Sequence, residues 1–563
     1  MIYHCEDHTC NYWDEGEKLP ERCPQCGRKL LRANETDMTG DDWTALGNTL
    51  WDAEASDKKR MVDCFRKAAY LGSAWGVCNL GICMEQGNGV EADPVQAFWL
   101  YQQAVEMGSL NAVCCLGVCY QYGIGTAPDA EKAAELYCKA AEYGSPRGQM
   151  LLARAFHDGI GVEADAAEAV HWVRAAAYQR YGEGMYRLGV CYEYGDGVEQ
   201  NWEHAVHWFR EAAESGVSMA MTDLGYCYEK GCGVEQSWEQ AFSWYRRGAE
   251  CGYPVSMSNL GLCYKRGYGV EQNWQEAIKW YEQGAQCGDL QSMHNLACCY
   301  ERGEGVEQNE DRALYWYRRG AEAGSDYCMY CLGWNYSNGE GVEQNMTEAI
   351  RWYTAAAEGG NADAMHDLGW HYDHGEGVEQ DMKKAICWYE RAAEQNHPAA
   401  MNSLGECYAM GRGVPRDLET AMEWYRRAAE LGEAMADYNM GWHLEQAGKL
   451  SEAYAHYRKA ADGNDDSAWW ALGRFYENGV VVAQDGKEAR CCYETGEKLG
   501  SVKCKMRLAR CKLLGIGGRR AKKAGLDLCR QALELAKESS EKEDYGYEAE
   551  MNLLRRTIAE NES

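Results

Sequence analysis

Four cysteines near the start of the chain stand at spacings that could hold a metal ion. They form Cys5-x4-Cys10 and, after a gap of twelve residues, Cys23-Pro24-Gln25-Cys26-Gly27. Two thiolates separated by two residues can point at one ion across a tight turn, and four thiolates suit tetrahedral zinc. A closed set of four is structural, because no coordination position stays open for catalysis. His8, which makes Cys5-x2-His8, is the alternative ligand to Cys10. A redox-active thiol pair is the alternative that needs no metal. A segment of this length buries little core, so a metal staple would be physically useful there.

No other constellation in the chain points to chemistry. A phosphate-binding Gly-Lys loop, a GxSxG elbow and an HExxH helix are all missing from the sequence. The elements that must position any site come from an internal repeat. A Leu-Gly step or close variant recurs at Leu80, Leu116, Leu152, Leu188, Leu224, Leu260, Leu296, Leu332, Leu368, Leu404 and Met440, always 36 residues apart. Further copies at Leu46, Leu472 and Leu508 extend the array from about residue 41 to about 537. Each unit reads as a helix pair. Met257, Leu260, Gly261 and Tyr264 share one helical face, and Gly267-Tyr268-Gly269 breaks that helix. Asn273 then begins a column of N-cap residues: Asp93, Asp129, Asp165, Asn201, Ser237, Asn273, Asn309, Asn345, Asp381 and Asp417. Pro94 follows its cap at the helix position that suits proline. Ala277, Trp280, Tyr281 and Gly284 give the second helix its apolar stripe.

These columns resemble the Sel-one-like repeat family, a relative of the tetratricopeptide repeats. One unit carries Leu188-Gly189, Tyr192, Gly195-Asp196-Gly197-Val198, Asn201, Ala205, Trp208-Phe209, Ala212-Ala213-Glu214 and Gly216. Thr126, Arg180 and the shortened unit after Met440 depart from the pattern and predict locally altered packing. The resemblance implies an all-α fold, an α/α superhelical solenoid of about thirteen helix-pair repeats whose first helices line a concave groove. The Cys23–Gly27 element resembles the knuckle of zinc ribbons. Rubredoxin-like iron is disfavoured, because its first pair normally has two intervening residues and here there are four. The expected organisation is a zinc-ribbon-like head over 1–34, the solenoid over 41–537 and a capping helix and tail over 544–563, with Met551, Leu554 and Ile558 on one stripe.

Columns that never change read as packing. Tryptophans at 172, 208, 244, 280, 316, 352, 388 and 424 are expected in the core, as are the cysteines Cys83, Cys119, Cys191, Cys227, Cys263, Cys299 and Cys407. The acidic column Glu199, Glu235, Glu271, Glu307, Glu343 and Glu379 is expected to solvate the hairpin edge. No two cysteines lie eight apart, the spacing by which a secreted branch of the family staples its repeats. By alignment with the tetratricopeptide unit, two variable columns face the groove. They hold Tyr330 and Trp334, His366 and Trp370, Tyr438 and Trp442, and Trp470. Lys230, Arg266 and Arg302 lie at the helix end on a matching column and could hold an acidic segment.

With 88 Asp and Glu against 57 Lys and Arg the net charge is -31, which disfavours nucleic acid and anionic lipid surfaces as partners. The start Met1-Ile2-Tyr3-His4-Cys5-Glu6 has neither the basic nor the apolar region of a secretory signal, and no run approaches a membrane span. Twenty-eight cysteines in such a chain read as reduced thiols and metal ligands in the cytoplasm. The expected function is a non-enzymatic protein–protein interaction scaffold, or adaptor, that holds a protein or peptide in the groove, with zinc as a structural cofactor. An enzyme or enzyme regulator acting in the groove or at the metal head is the alternative. A nucleic-acid-binding ribbon protein is the second alternative, which the charge disfavours.

Overall fold

The computed structural model describes residues 2–5, 13–15, 30–33, 38–51, 55–542 and 548–562. Twenty-nine helices run through the described residues. They alternate as pairs, from Gly40–Thr49 with Ala55–Tyr70 to Val502–Leu514 with Lys522–Lys542, and Glu548–Glu562 closes the array. This is an all-helical solenoid of fourteen pairs, one more than the approximate count expected from the sequence. The helices belong to two compact units, 1–292 and 293–563. Ahead of them lie three short strands, β1 (Ile2–Cys5), β2 (Trp13–Glu15) and β3 (Leu30–Ala33). They form one antiparallel sheet in the order β2-β1-β3.

The local chemistry of each pair is regular. All ten expected N-cap residues start a second helix, and each accepts backbone N–H groups through its side chain; Asn273 receives those of Gln275 and Glu276. Most first helices end on a glycine in the left-handed region, as at Gly267 with φ 74°, while Gly40–Thr49 and Ala434–Gln446 end on Leu50 and Ala447. The next glycine but one has a different task. A Cβ on Gly269 would lie 2.2 Å from the Trp238 carbonyl oxygen, so this glycine lets the turn press onto the preceding second helix. The glutamine after the acidic residue ties the turn down. Gln200, Gln236, Gln272, Gln344 and Gln380 each donate Nε2–H to a carbonyl seven residues back. Where the pattern breaks, the backbone holds. Arg180 stands at a closing-glycine position, keeps φ at +60° and reaches Glu211 at 3.2 Å.

The aromatic core corrects the sequence reading. The eight tryptophans expected there, Trp280 among them, are only half-buried. The fully buried rings are one residue later: Tyr101, Tyr137, Phe209, Tyr245, Tyr281, Tyr317, Tyr353, Tyr389, Tyr425, Tyr457 and Tyr493. Adjacent helical residues point about 100° apart, so only one of the pair can aim at the first helix. The tyrosine, four residues after a buried alanine such as Ala277, is on the stripe. The tryptophan lies on its flank, where guanidinium groups cover it: Arg247 over Trp244 at 4.4 Å, Arg391 over Trp388 at 4.3 Å and Arg427 over Trp424 at 4.6 Å.

Each buried ring lies on the second residue of the Leu-Gly step, a glycine in every such pair but that of Tyr317, where Ala297 stands. A Cβ on Gly81, Gly117, Gly225, Gly261, Gly333 or Gly405 would come within 2.7 Å of the ring it faces. The tyrosine hydroxyl then reaches across the first helix to a polar partner: Tyr101 to Glu85 at 2.6 Å, Tyr137 to Gln121 at 2.7 Å, Tyr245 to Glu229 at 2.9 Å and Tyr493 to Glu477 at 2.8 Å. Beside this lattice the repeat cysteines fill small gaps. Cys83, Cys119, Cys227, Cys263, Cys299 and Cys407 are buried, as expected for small hydrophobes, and Cys191 is half-buried. At the far end Met551 and Leu554 of the closing helix are buried against Ala532 and Cys529, with Ile558 beside them. A last repeat needs such a cover because it has no neighbour.

Candidate functional site

First helices of neighbouring pairs touch directly, as Gly40–Thr49 does Ala74–Gln86, and as Asp466–Asn478 does Val502–Leu514 in the second unit. Their solvent side is therefore the inner face of each unit. In the second unit this face carries large rings at one position, two residues after the repeat Leu. Trp334, Trp370 and Trp442 are 46%, 38% and 39% exposed, whereas the leucines and glycines beside them are buried. No packing demand explains indoles at that position. The equivalent residue of the first unit is Tyr226 in one repeat and Leu262 in the next.

Neighbouring groups hold the indoles. Trp370 stacks on His374 with ring centres 4.3 Å apart and planes inclined by 22°. The imidazole N–H of His374 is in turn 3.0 Å from the Trp370 carbonyl. Trp442 meets the edge of His443 at 4.7 Å, and Asn338 donates to the Trp334 carbonyl at 3.0 Å. Between the exposed rings the face is polar: Arg412 bonds the buried Asp373 at 2.9 Å and approaches Glu406 at 3.6 Å.

The second expected column lies lower. Tyr330, His366, Tyr438 and Trp470 are half-buried and pack on the core rings or on the next repeat. Tyr330 lies 5.8 Å from Tyr353 and donates its hydroxyl to Asp367 at 3.1 Å. His366 stacks on His397 at 5.2 Å, with Nδ1 3.0 Å from Asp367. Tyr438 lies 5.6 Å from Tyr457, and burial pushes its hydroxyl pKa up to about 12. Trp470 is flanked by cations, Arg474 at 4.6 Å and Lys503 at 5.3 Å, and its indole N–H finds no acceptor among the described residues. The sequence placed both columns on one face; the structure separates them by exposure, with open tryptophans in one column and half-buried rings in the other.

The basic residues divide between the units. Lys230 and Arg266 belong to the first and Arg302 to the second, and all three are exposed. Lys230 pairs with Glu229 at 2.8 Å and lies over the Tyr226 ring. The six acidic residues of the hairpin edge are exposed as expected. Cys10, Cys23, Cys26 and His8 lie outside the described residues, and of Cys5 only the backbone is described. Among the described residues no group of three or more His, Cys, Asp or Glu side chains could hold a metal, and no helix is long and apolar enough to cross a membrane.

Sequence reasoning missed the ring-on-glycine contact and the hydroxyl that completes it. Its signal was present as Glu or Gln sixteen residues before the core tyrosine, as in Glu85 and Tyr101 or Glu229 and Tyr245. Where Phe209 replaces the tyrosine, Glu193 receives no such hydroxyl, and burial together with nearby Asp223 raises its pKa.

The helix pairs, their caps and the glycine-seated rings define an α/α repeat protein. The pattern of the Sel1 repeat matches twelve segments, covering residues 76–109, 112–145, 146–465 without a break, and 468–501. The chain belongs to the Sel1 repeat family. It is similar in structure to c5321, a protective antigen of uropathogenic Escherichia coli displaying an SLR fold. The two are 29% identical, the match covers 76% of this chain and 94% of that one, and the TM-score is 0.50. A Sel1 repeat protein from Oxalobacter formigenes is 32% identical over 43% of this chain and 96% of its own, with a TM-score of 0.40. No curated protein matches the chain.

Proposed function

We propose that the protein is a non-catalytic interaction scaffold in the cytoplasm, and that the inner face of the second unit holds a protein or peptide segment. One observation carries this reading: Trp334, Trp370 and Trp442 stay open at a single position where packing has no use for an indole. Open indoles on a rigid helical row bury much area at small entropic cost, which is why tryptophan dominates binding hot spots. Tyr330, His366, Tyr438 and Trp470, half-buried on the same row of helices, would line the floor of that face. Arg302, exposed in the second unit, is a basic residue available there to an acidic stretch of the partner. The net charge of -31 argues against nucleic acid and membrane surfaces.

A zinc bound by Cys5, Cys10, Cys23 and Cys26 belongs to the same proposal. It would cross-link a head too small to bury a core of its own. The strand register supports it: Cys5, at the end of β1, pairs with Leu30, at the start of β3 and shortly after Cys26. Elemental analysis should find about one zinc per chain, lost in Cys23→Ala/Cys26→Ala; a metal-free native protein would remove this part. The groove is tested by affinity capture from native lysate with Trp334→Ala/Trp370→Ala as the folded control. Loss of a captured partner in that variant supports the site, and undiminished recovery places the partner elsewhere.

A further inference from the structure

One pair inside the array lacks its core ring. Twelve of the fourteen pairs place Tyr or Phe on the step residue, from Phe65 on Gly47 to Tyr493 on Gly473. In the last pair Ala509 and Cys529 stand there instead, and the closing helix covers them. The remaining exception is the pair Pro146–Asp158 and Ala166–Tyr178, where the step reads Leu152-Ala153 and the ring position is Val173. Ala153 and Val173 meet there, both buried, with less bulk than a ring. A cavity of about 560 Å³ opens there, floored by Ala153, Ala169, Val170 and Val173.

The far end of this slot can be placed by comparison. In six other pairs the tyrosine hydroxyl meets the residue four beyond the step residue, such as Glu85 after Gly81 or Glu229 after Gly225. The corresponding residue is His157, and it lines the cavity. The acids at the rim are already engaged. His157 places Nδ1 2.7 Å from Asp158 and Nε2 3.2 Å from Asp196, and Asp158 holds its pKa above the usual value. Arg154 lies 3.7 Å from Asp158 and also bonds the Tyr122 hydroxyl. Glu183, at the mouth, takes the Tyr181 hydroxyl at 3.4 Å. Arg187 lines the same cavity, is exposed, and has no hydrogen bond or ion pair among the described residues.

We propose that this slot binds an aromatic ring bearing a carboxylate: the ring lies in the cavity against Ala153 and Val173, beside the place tyrosine holds in the other pairs, and the carboxylate meets the guanidinium of Arg187. A planar ring is the group for which the surrounding lattice leaves room, and a fork of N–H donors is the natural partner of a carboxylate. The volume accommodates the ring together with a short substituent. The same chemistry is offered by a free aryl-alkanoate and by the C-terminal aromatic residue of a peptide.

The lattice supplies a variant that should fold. Ala153→Gly/Val173→Tyr restores the arrangement of the neighbouring pairs and fills the slot from within; the glycine is included because an added Cβ would crowd the ring in those pairs. The full chain would be titrated calorimetrically with 3-(4-hydroxyphenyl)propionate, and with a hexapeptide ending in Tyr whose carboxyl group is free or amidated. The filled variant should lose binding by at least tenfold while its helical circular dichroism is retained. Arg187→Gln should weaken binding roughly tenfold, as should amidation if the peptide binds. Binding of the propionate alone assigns a free small molecule, and binding of the peptide alone assigns a chain terminus. If neither probe binds the native chain, or if the filled variant binds as well as the native chain, the proposal is wrong. A charge-independent response to Arg187→Gln would remove the carboxylate from it.

Discussion

Two helix pairs with the same backbone pattern differ in a single layer. In Asp326–Asn338 with Met346–Glu358, the Tyr353 ring covers Gly333 and only 1% of the residue is exposed. In Pro146–Asp158 with Ala166–Tyr178, Ala153 and Val173 meet at the equivalent place and leave a cavity. Both pairs keep the aspartate or asparagine cap, the left-handed glycine at the end of the first helix and the thirteen-residue helices. The frame therefore does not depend on any one ring, because caps and neighbour contacts are distributed along the array. Rings repeated in register hold the fold, and the two proposed binding surfaces are an open slot where one ring is missing in the first unit and open tryptophans over intact rings in the second.

Substitutions in the ringed pair rank the contacts on which this contrast rests. Tyr353→Ala removes a buried ring and should cost about 3–5 kcal/mol in urea unfolding, the largest effect expected. A loss of less than about 1 kcal/mol would show that the ring layer is not what holds the pair. Gly333→Ala comes next: its Cβ would lie 2.6 Å from Cδ1 of Tyr353, and the displaced ring should cost about 1–3 kcal/mol. Trp352→Ala, on the half-buried flank with Arg351 5.2 Å over the ring, should cost about 1–2 kcal/mol. Equal losses for Trp352 and Tyr353 would erase the distinction between flank and core. Trp334→Ala should move stability by no more than about 0.5 kcal/mol, as expected for an open surface ring; a larger loss would make it a packing residue and weaken the scaffold reading.

The periodic part of the fold was legible in the sequence because the same signals recur with the same chemistry. Asn273 and its column cap helices through a local contact that needs no tertiary information. The aromatic layer was misassigned by one residue for a reason the helix itself supplies. The columns of Trp280 and Tyr281 are both aromatic in most units, and a steady column marks packing without saying which of two neighbours points inward. The buried alanine four residues before the tyrosine held that answer. The sequence assigned both variable columns to one face, but how far each ring is buried depends on its height above the second helix, which spacing alone does not encode. Hence Trp334 is open while Tyr330, four residues earlier on the same helix, rests on Tyr353. The empty slot was visible only as two substitutions, Ala153 and Val173, in columns that are mostly Gly and Tyr. Their connection appears once the two columns are known to touch.

The central claim, that a ring seated on the step glycine is the stabilising contact and that its omission at Val173 serves binding instead of packing, is tested most directly by supplying the missing contact. Urea unfolding of Ala153→Gly/Val173→Tyr beside the native chain should show a gain of about 1–3 kcal/mol, the worth of burying one large side chain, with unchanged helical content. A variant less stable than the native chain would contradict the account, since the place left by Val173 would then not be the place of a ring.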